Sequence, residues 1–306
     1  MRPPTNYYGG KTRLAGWIAG LLPGHRTYIE AFCGSAAVLF AKPPSPTEIL
    51  NDLDGQVVNF FTVLRDQPAQ LTRALRLTPY ARAEYEHLAA HYDDPDIDEL
   101  ERARRWFVRC NQSISHLAGR GRPSGWAAAF NTNGHDHAHK FASLTDHLEA
   151  CAKRLRRVHL EARPAIEVIA KYAKPAADAV VYCDPPYLDS TRSALTKRRG
   201  ADYAVEHAGE ADHLALAEVL HATPAAVLLS GYDSPLYREL YDQAGWWRVE
   251  RTVTRPTSNT SGGCGARATE VIWSNRPLHH QLQLTAPPSR TPPPARARPA
   301  SKEVQP

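Results

Sequence analysis

Short apolar runs alternate with longer stretches in which apolar residues recur at helical spacing. Residues 27–33 (TYIEAFC), 178–183 (DAVVYC) and 225–231 (AAVLLSG) are compact and apolar, as expected of strands buried on both faces. Residues 47–51 (TEILN) form a further strand that runs into Asp52. Residues 246–254 and 268–274 alternate in strand fashion and are spaced to pair as a hairpin. Between 56 and 77, Val57, Phe60, Phe61, Leu64, Leu71 and Leu75 fall at helical intervals, and 81–92, 98–111, 143–157 and 212–222 are further helix candidates. Residues 111–133 are rich in Gly, Ser, Asn and Arg and read as loops. No internal repeat emerges.

Strands alternating with helices predict an α/β domain with a largely parallel sheet. The helical and loop-rich segment 62–165 interrupts that alternation and reads as an insert between the second and third recognisable strands. The expected organisation is a sheet domain from residues 1–61 and 166–284, an insert at 62–165, and a tail at 285–306. That tail is Pro-rich and aperiodic, so it is expected to be disordered. Arg290, Arg296, Arg298 and Lys302 against Glu303 give it a net +3 of the formal net charge of +5 carried by the 306-residue chain. The remainder is near neutral, so any surface for a polyanion must be a local patch.

Composition narrows the function classes. No apolar run reaches the ~18 residues needed to span a membrane. The apolar stretch 14–22 follows Lys11 and Arg13 but leads into Pro23-Gly24-His25-Arg26, not into a small-residue cleavage site, so a secretory signal is not expected. The five cysteines, Cys33, Cys110, Cys151, Cys183 and Cys264, are scattered and form no CxxC pair. Neither disulfides nor a zinc ribbon is expected, and a reducing cytoplasm is the natural compartment. His135, His137 and His139 sit together in a polar segment without a Cys partner, so no metal site is expected there.

Three motifs carry chemistry, and each lies next to a strand or near the N-terminus. The first is a turn, Phe32-Cys33-Gly34-Ser35-Ala36, between a strand and a helix, with Asp52 closing the second strand 18 residues after Gly34. A tight turn brings a ligand to backbone amides, and an acid at the next strand end accepts ribose hydroxyls. Alone, this pattern fits a dinucleotide, S-adenosylmethionine, or a plain helix–strand packing turn. The second is Asp184-Pro185-Pro186-Tyr187 after a buried strand. Two prolines remove two backbone donors, leaving carbonyls beside a carboxylate and an aromatic ring. Such a set grips a planar ligand with an exocyclic amine: carboxylate and carbonyl accept its two hydrogens while the ring stacks. A strand-ending turn accounts for the prolines but not for the flanking Asp and Tyr. The third, Asn6-Tyr7-Tyr8-Gly9-Gly10-Lys11, offers aromatic faces, a pliable backbone and a cation, although by itself it also fits a leader before a helix.

In the order Tyr7-Tyr8-Gly9-Gly10-Lys11, Glu30-Ala31-Phe32-Cys33-Gly34-Ser35-Ala36, Leu50-Asn51-Asp52 and Val181-Tyr182-Cys183-Asp184-Pro185-Pro186-Tyr187, with a helical insert before the last, the chain resembles the DNA adenine-N6 methyltransferases of the Dam type. Leu229-Ser230-Gly231-Tyr232-Asp233 and Thr269-Glu270-Val271-Ile272-Trp273 resemble the later strands of that family. Ala36 stands where many members carry a second Gly, and Tyr7-Tyr8 where several have Trp-Ala.

The resemblance implies a Rossmann-like methyltransferase sheet with an inserted, mainly helical target-recognition domain. It implies S-adenosylmethionine as methyl donor, contacted by Tyr7, Lys11, Asp52, Asp184 and the backbone around Phe32 and Gly34, with Glu30 the next acid available to the ribose. It assigns the target base to Asp184, Pro185, Pro186 and Tyr187. Double-stranded DNA is the expected partner, read by Arg109, Asn111, Arg120 and Arg122 of the insert, because Arg and Asn bond base edges bidentately. The base is expected to flip out of the stack, with direct transfer and no metal. A monomer, a cytoplasmic and nucleoid-associated location and, in a restriction–modification setting, a cognate endonuclease complete the expectation. Cytosine-N4 or RNA adenine methylation presents the same amine chemistry. A nicotinamide-dependent oxidoreductase would share Gly34 and Asp52 but has no use for Asp184-Pro185-Pro186-Tyr187, and a non-catalytic DNA-binding module would not need Asp184 and Tyr187.

Overall fold

The computed structural model describes residues 1–92, 94–114, 125–128, 136–173, 178–188, 209–254 and 267–278. Seven strands form one mixed sheet: β1 (Thr27–Glu30), β2 (Thr47–Asn51), β3 (Val158–Glu161), β4 (Ala179–Cys183), β5 (Ala226–Gly231), β6 (Trp247–Thr254) and β7 (Arg267–Ser274). Their spatial order is β3-β2-β1-β4-β5-β7-β6. The first five strands are parallel, whereas β7 runs antiparallel between β5 and β6. The strand order reverses at β1 and β4, since β2 and β3 build outward on one side and β5 on the other. Such a switch point leaves a crevice beyond the carboxyl ends of the two central strands. Glu30 at the end of β1 is in register with Leu50 of β2 and Tyr182 of β4, so the chemistry-bearing turns that follow all emerge at one level.

Helices cover both faces. α1 (Ala15–Leu21), α2 (Ala37–Ala41), α3 (Gly55–Asp66), α4 (Pro68–Arg76), α5 (Arg82–Ala90), α6 (Glu99–Gln112), α7 (His137–Thr145) and α8 (Leu148–Leu155) precede β3; α9 (Ala165–Tyr172) and α10 (Glu210–Ala222) flank β4. Two apolar cores result. One joins Tyr28, Leu50, Val180, Tyr182, Leu228 and Ile272 of the sheet to Phe60, Phe61, Trp106, Phe107, Phe141 and Leu155 of the helices. The other packs Ile29, Val181, Val227 and Trp273 against Val168, Ile169, Leu216 and Leu220. The helices between β2 and β3 therefore share their core with a face of the sheet.

Local chemistry sets several boundaries. Asp54 and Asp98 cap α3 and α6, accepting from the backbone N–H of Gln56 (2.9 Å) and Glu101 (2.7 Å). The helix expected over 56–77 is two helices. Pro68 has no N–H to continue α3 and disfavours helical backbone at Gln67, which instead takes φ −129°, ψ 47°. The apolar pattern predicts no strand between Asn51 and Asp178. The structure has β3 there: a four-residue edge strand, too short to declare itself by alternation. Asn51 secures this edge, donating to the carbonyls of Ala31 and Arg163 and accepting from the Arg163 N–H. Ala36 takes the left-handed conformation (φ 54°, ψ 36°), a strain of about 1 kcal/mol for a residue with a Cβ. Cys33, Cys110, Cys151 and Cys183 are reduced and buried. No helix among the described residues is long and apolar enough to cross a membrane. The tail expected at 285–306 lies outside the described residues.

Because Phe60 is fully buried with its ring 4.8 Å from Trp106 and 5.8 Å from Phe107, it joins α3 to α6 in the core that reaches the sheet. Phe60→Ala is expected to destabilise the protein by about 3–5 kcal/mol. Urea unfolding followed by far-ultraviolet dichroism and by tryptophan fluorescence should remain a single coincident transition, whereas separate transitions would show that the helices own an independent core.

Candidate active site

A pocket opens beyond the ends of β1, β2 and β4, lined by Tyr7, Gly10, Lys11, Glu30, Phe32, Gly34, Asp52, Asp54, Asp184, Pro185 and Pro186, with Ile166 and Leu216 from the helices that follow. The three motifs legible in the sequence thus converge. Gly34 has φ 46°, and a Cβ there would lie 2.8 Å from Cδ1 of Tyr7, so the Tyr7 ring rests on the turn after β1. Asp52 holds the same turn from the other side. Its Oδ2 accepts from the Gly34 N–H (2.8 Å) and its Oδ1 from the Asp54 N–H (3.0 Å).

The N-terminal loop is clamped over the strand ends. Gly10 N–H donates to the Tyr7 carbonyl (3.1 Å) across a turn in which Gly9 takes φ 72°. Asn111 accepts from the backbone and side-chain N–H groups of Asn6 and donates to Thr5 Oγ1 and the Phe107 carbonyl. Tyr7 stacks on Trp106 with ring centres 6.1 Å apart. Helix α6 and the pocket rim are therefore one unit.

At the inner end of the pocket, Lys11 Nζ lies 2.7 Å from Asp184 Oδ1, 2.6 Å from the Tyr187 hydroxyl, 3.3 Å from the Gly9 carbonyl and 3.5 Å from Glu270 Oε1. The Tyr187 hydroxyl donates to Glu270 Oε1 at 2.8 Å. Its ring packs on Tyr232 with centres 4.3 Å apart. One buried ammonium faces two carboxylates here, Glu270 buried and Asp184 partly buried. Burial alone would lower the Lys11 pKa, but Asp184 and Glu270 outweigh it and hold the ammonium protonated above the ordinary lysine value. Burial raises both carboxyls above the usual range, with Lys11 opposing the shift in each and the two acids repelling one another. Burial also pushes Asp52 up to about 6, against the N–H bonds from Gly34 and Asp54. It pushes Glu30 up to about 8, against bonds from the Tyr28 hydroxyl (2.8 Å) and the Leu39 N–H (3.1 Å).

Tyr7, Lys11, Glu30, Phe32, Gly34, Asp52, Asp184, Pro185 and Pro186 all line the pocket, and Tyr187 joins it through Lys11. The residues expected to read DNA are placed differently. Arg109 is buried, its guanidinium 3.8 Å from the centre of the Tyr92 ring, and Asn111 is buried in the clamp just described. Arg120 and Arg122 lie outside the described residues. Glu270 and Tyr232 occur in segments that the family resemblance covers, yet neither was given a role from sequence. The available signal was an acid inside the apolar strand Val271-Ile272-Trp273. Among the described residues, no cluster of three or more His, Cys, Asp or Glu is placed to hold a metal ion.

A family model described as D12 class N6 adenine-specific DNA methyltransferase matches residues 7–255. The chain is 26% identical over 288 residues to the Type II methyltransferase M1.LlaDCHI of Lactococcus lactis subsp. cremoris, covering 90% of this chain and 95% of that protein. It is 26% identical over 258 residues to a DNA adenine methylase of Vibrio cholerae serotype O1, covering 81% and 88% of the two chains. A DNA adenine methylase of Serratia marcescens is 24% identical over 260 residues, covering 81% and 90%.

Replacing Lys11 by Met removes the cation but leaves Asp184 and Glu270 partly and fully buried, respectively. Lys11→Met is expected to destabilise the protein by about 3 kcal/mol at pH 8, as expected for a buried ion pair robbed of one partner. Without the cation the two carboxyls bind protons more readily, so the variant loses stability as pH rises through their raised pKa values. The deficit relative to wild type should therefore shrink between pH 8 and pH 5, measured by urea unfolding; a pH-independent deficit would mean that the carboxyls do not depend on Lys11.

Proposed function

The chain belongs to the D12 class of N6 adenine-specific DNA methyltransferases, and from that premise we propose that Asp184, Pro185, Pro186 and Tyr187 hold the target adenine while Tyr7, Lys11, Glu30, Phe32, Gly34 and Asp52 form the cofactor side of the same pocket. The enzyme methylates adenine in DNA at specific sites and uses S-adenosylmethionine. The observation that carries the residue assignment is the convergence of Asp184, Asp52 and Gly34 on one pocket at the β1–β4 switch point.

The pocket suits that cofactor on chemical grounds. Tyr7 rests on Gly34 at the pocket rim, and Asp52, Asp54 and Asp184 line a space that would receive a molecule with two cationic groups, with Glu30, pushed up to about 8, beside them. Phe32, Ile166 and Leu216 supply apolar wall. Asp52 would accept the ribose hydroxyls, and Tyr7 would flank the cofactor. When bound, S-adenosylmethionine supplies an electrophilic methyl group on a sulfonium.

The protein's task is then to make a poor nucleophile competent. The lone pair of the adenine N6 amine is delocalised into the ring. Asp184 and the Pro185 carbonyl accept its two hydrogens, which draws the nitrogen toward tetrahedral geometry and aims the lone pair along the pocket. Lys11 keeps one oxygen of Asp184 fixed, so the carboxylate is oriented before the base arrives. Asp184 would take the proton that the nitrogen gives up on gaining the methyl group, the sulfonium–methyl bond breaking with its electron pair kept on sulfur. The target must leave the duplex to reach this depth, and Tyr187, backed by Tyr232, offers it a stacking face. Within the segment 62–165 expected as an insert, β3 belongs to the central sheet, so the proposed target-recognition insert is the part before it, in which Arg120 and Arg122 remain the candidates for base reading. A single-chain enzyme acting on double-stranded DNA, with or without a companion endonuclease, completes the reading.

Asp184→Ala is expected to abolish N6-methyladenine formation while leaving S-adenosylhomocysteine binding within a few-fold of wild type. Tyr187→Ala should be milder, losing about 1–3 kcal/mol of base stacking. Mass spectrometry of nucleosides from duplex DNA incubated with each variant provides the test. N6-methyladenine at the wild-type rate from Asp184→Ala would refute the assignment, and N4-methylcytosine in its place would redirect the substrate.

A further inference from the structure

Glu270 is the buried acid of the catalytic cluster for which the chemistry above has no use. It lies on β7, on the same sheet face as Ile272, whose side chain joins the core built on Tyr182. Only 3% of its surface is exposed. One oxygen, Oε1, receives the Tyr187 hydroxyl at 2.8 Å and lies 3.5 Å from Lys11 Nζ. Nothing in the stability of a β-strand calls for a carboxylate here. Its burial is a cost that an apolar residue of similar volume would avoid. The two groups it touches are themselves the neighbours of Asp184: Lys11 bonds Asp184, and Tyr187 lies three residues further along the chain.

We propose that Glu270 is a positioning residue of the methyl-transfer site. It pins the Tyr187 ring by its hydroxyl and holds Lys11 between two carboxylates, so that Asp184 presents a fixed oxygen to the target amine. This rests on the reading of Asp184 and Tyr187 as the residues that hold the base. The geometry requires both functions of one carboxylate. A neutral amide at 270 keeps an acceptor for the Tyr187 hydroxyl but gives Lys11 no counter-charge. A shorter Asp keeps the charge but withdraws it from both partners. The groups facing Glu270 are Lys11 from the N-terminal loop, Asp184 and Tyr187 from the segment after β4, Tyr182 from β4 itself, and Arg251, its cross-strand register partner on β6. Glu270 and Asp184 each disfavour ionisation of the other, so removing the charge at 270 makes Asp184 easier to ionise.

Full-length Glu270→Gln and Glu270→Asp, assayed for methyl transfer to duplex DNA under saturating S-adenosylmethionine, test the proposal. Folding is checked by calorimetric binding of S-adenosylhomocysteine, whose pocket Glu270 does not line. The expected result for Glu270→Gln is a fall in kcat of about 10- to 100-fold, the cost of loosening a positioned reacting group. Cofactor-product affinity should stay within about two-fold, and the acid limb of the kcat/KM profile should move to lower pH because Asp184 then loses its proton more readily. Glu270→Asp should recover part of kcat and return the acid limb toward the wild-type position. Wild-type kcat in Glu270→Gln overturns the proposal, as does a loss of kcat matched by an equal loss of S-adenosylhomocysteine affinity with the acid limb unmoved, which marks a merely structural residue. Asp184→Ala measured in parallel separates the two readings. An inactive Asp184→Ala beside a fully active Glu270→Gln removes Glu270 alone, whereas an active Asp184→Ala removes the base-holding assignment on which it depends.

Discussion

The ammonium of Lys11 is the constraint around which the site is organised. It contacts Asp184, Tyr187, Glu270 and the Gly9 carbonyl, and so ties together three stretches of chain that are far apart in sequence: the N-terminal loop, the exit of β4 and strand β7. A buried and a partly buried carboxylate beside each other are costly without a cation in contact, as is a buried lysine without carboxylates. Lys11 and the two acids therefore depend on one another. In the proposed assignment, the members of this cluster set the orientation in which Asp184 would meet the target amine.

The sheet puts this cluster where it is useful. Reversal of strand order at β1 and β4 opens the crevice, and the common register of Glu30, Leu50 and Tyr182 brings Gly34, Asp52 and Asp184 out at its rim. The helical layer then fixes the roof. Asn111 on α6 spends both faces of its amide on Thr5, Asn6 and Phe107, and Trp106 supports Tyr7, which in turn covers Gly34. The same helix leads toward the segment proposed to read DNA. A shift of α6 would thus be felt at the cofactor turn without any further relay.

Much of this was legible in the sequence, because some residues carry their meaning locally. Buried strands announce themselves by apolar runs, and Asp184-Pro185-Pro186-Tyr187 after such a run defines acceptors and a ring without knowledge of any partner. Gly34 and Asp52 were legible as a pair for the same reason. The positive φ that Gly tolerates recurs two residues later at Ala36, where the departure from Gly is realised as a strained left-handed residue. What stayed hidden depends on partners distant in sequence. Arg109 and Asn111 have the side chains of a base reader, but Asn111 finds its acceptors and donors more than a hundred residues away at Thr5 and Asn6. Glu270 looked like one acid in a strand until Lys11 and Tyr187 were placed beside it. Strand β3 was missed because a four-residue edge has too little alternation to show.

The most direct test of the central claim is the titration of Lys11 itself. Two-dimensional NMR of protein labelled with carbon-13 at lysine Cε, assigned with the Lys11→Met variant, reports the charge on that nitrogen. The account predicts that the Lys11 signal stays in its protonated position beyond pH 10.5, the ordinary lysine value, because Asp184 and Glu270 hold the proton. A Lys11 that loses its proton at or below that value would contradict the account, since the ammonium would then not be held between two carboxylates.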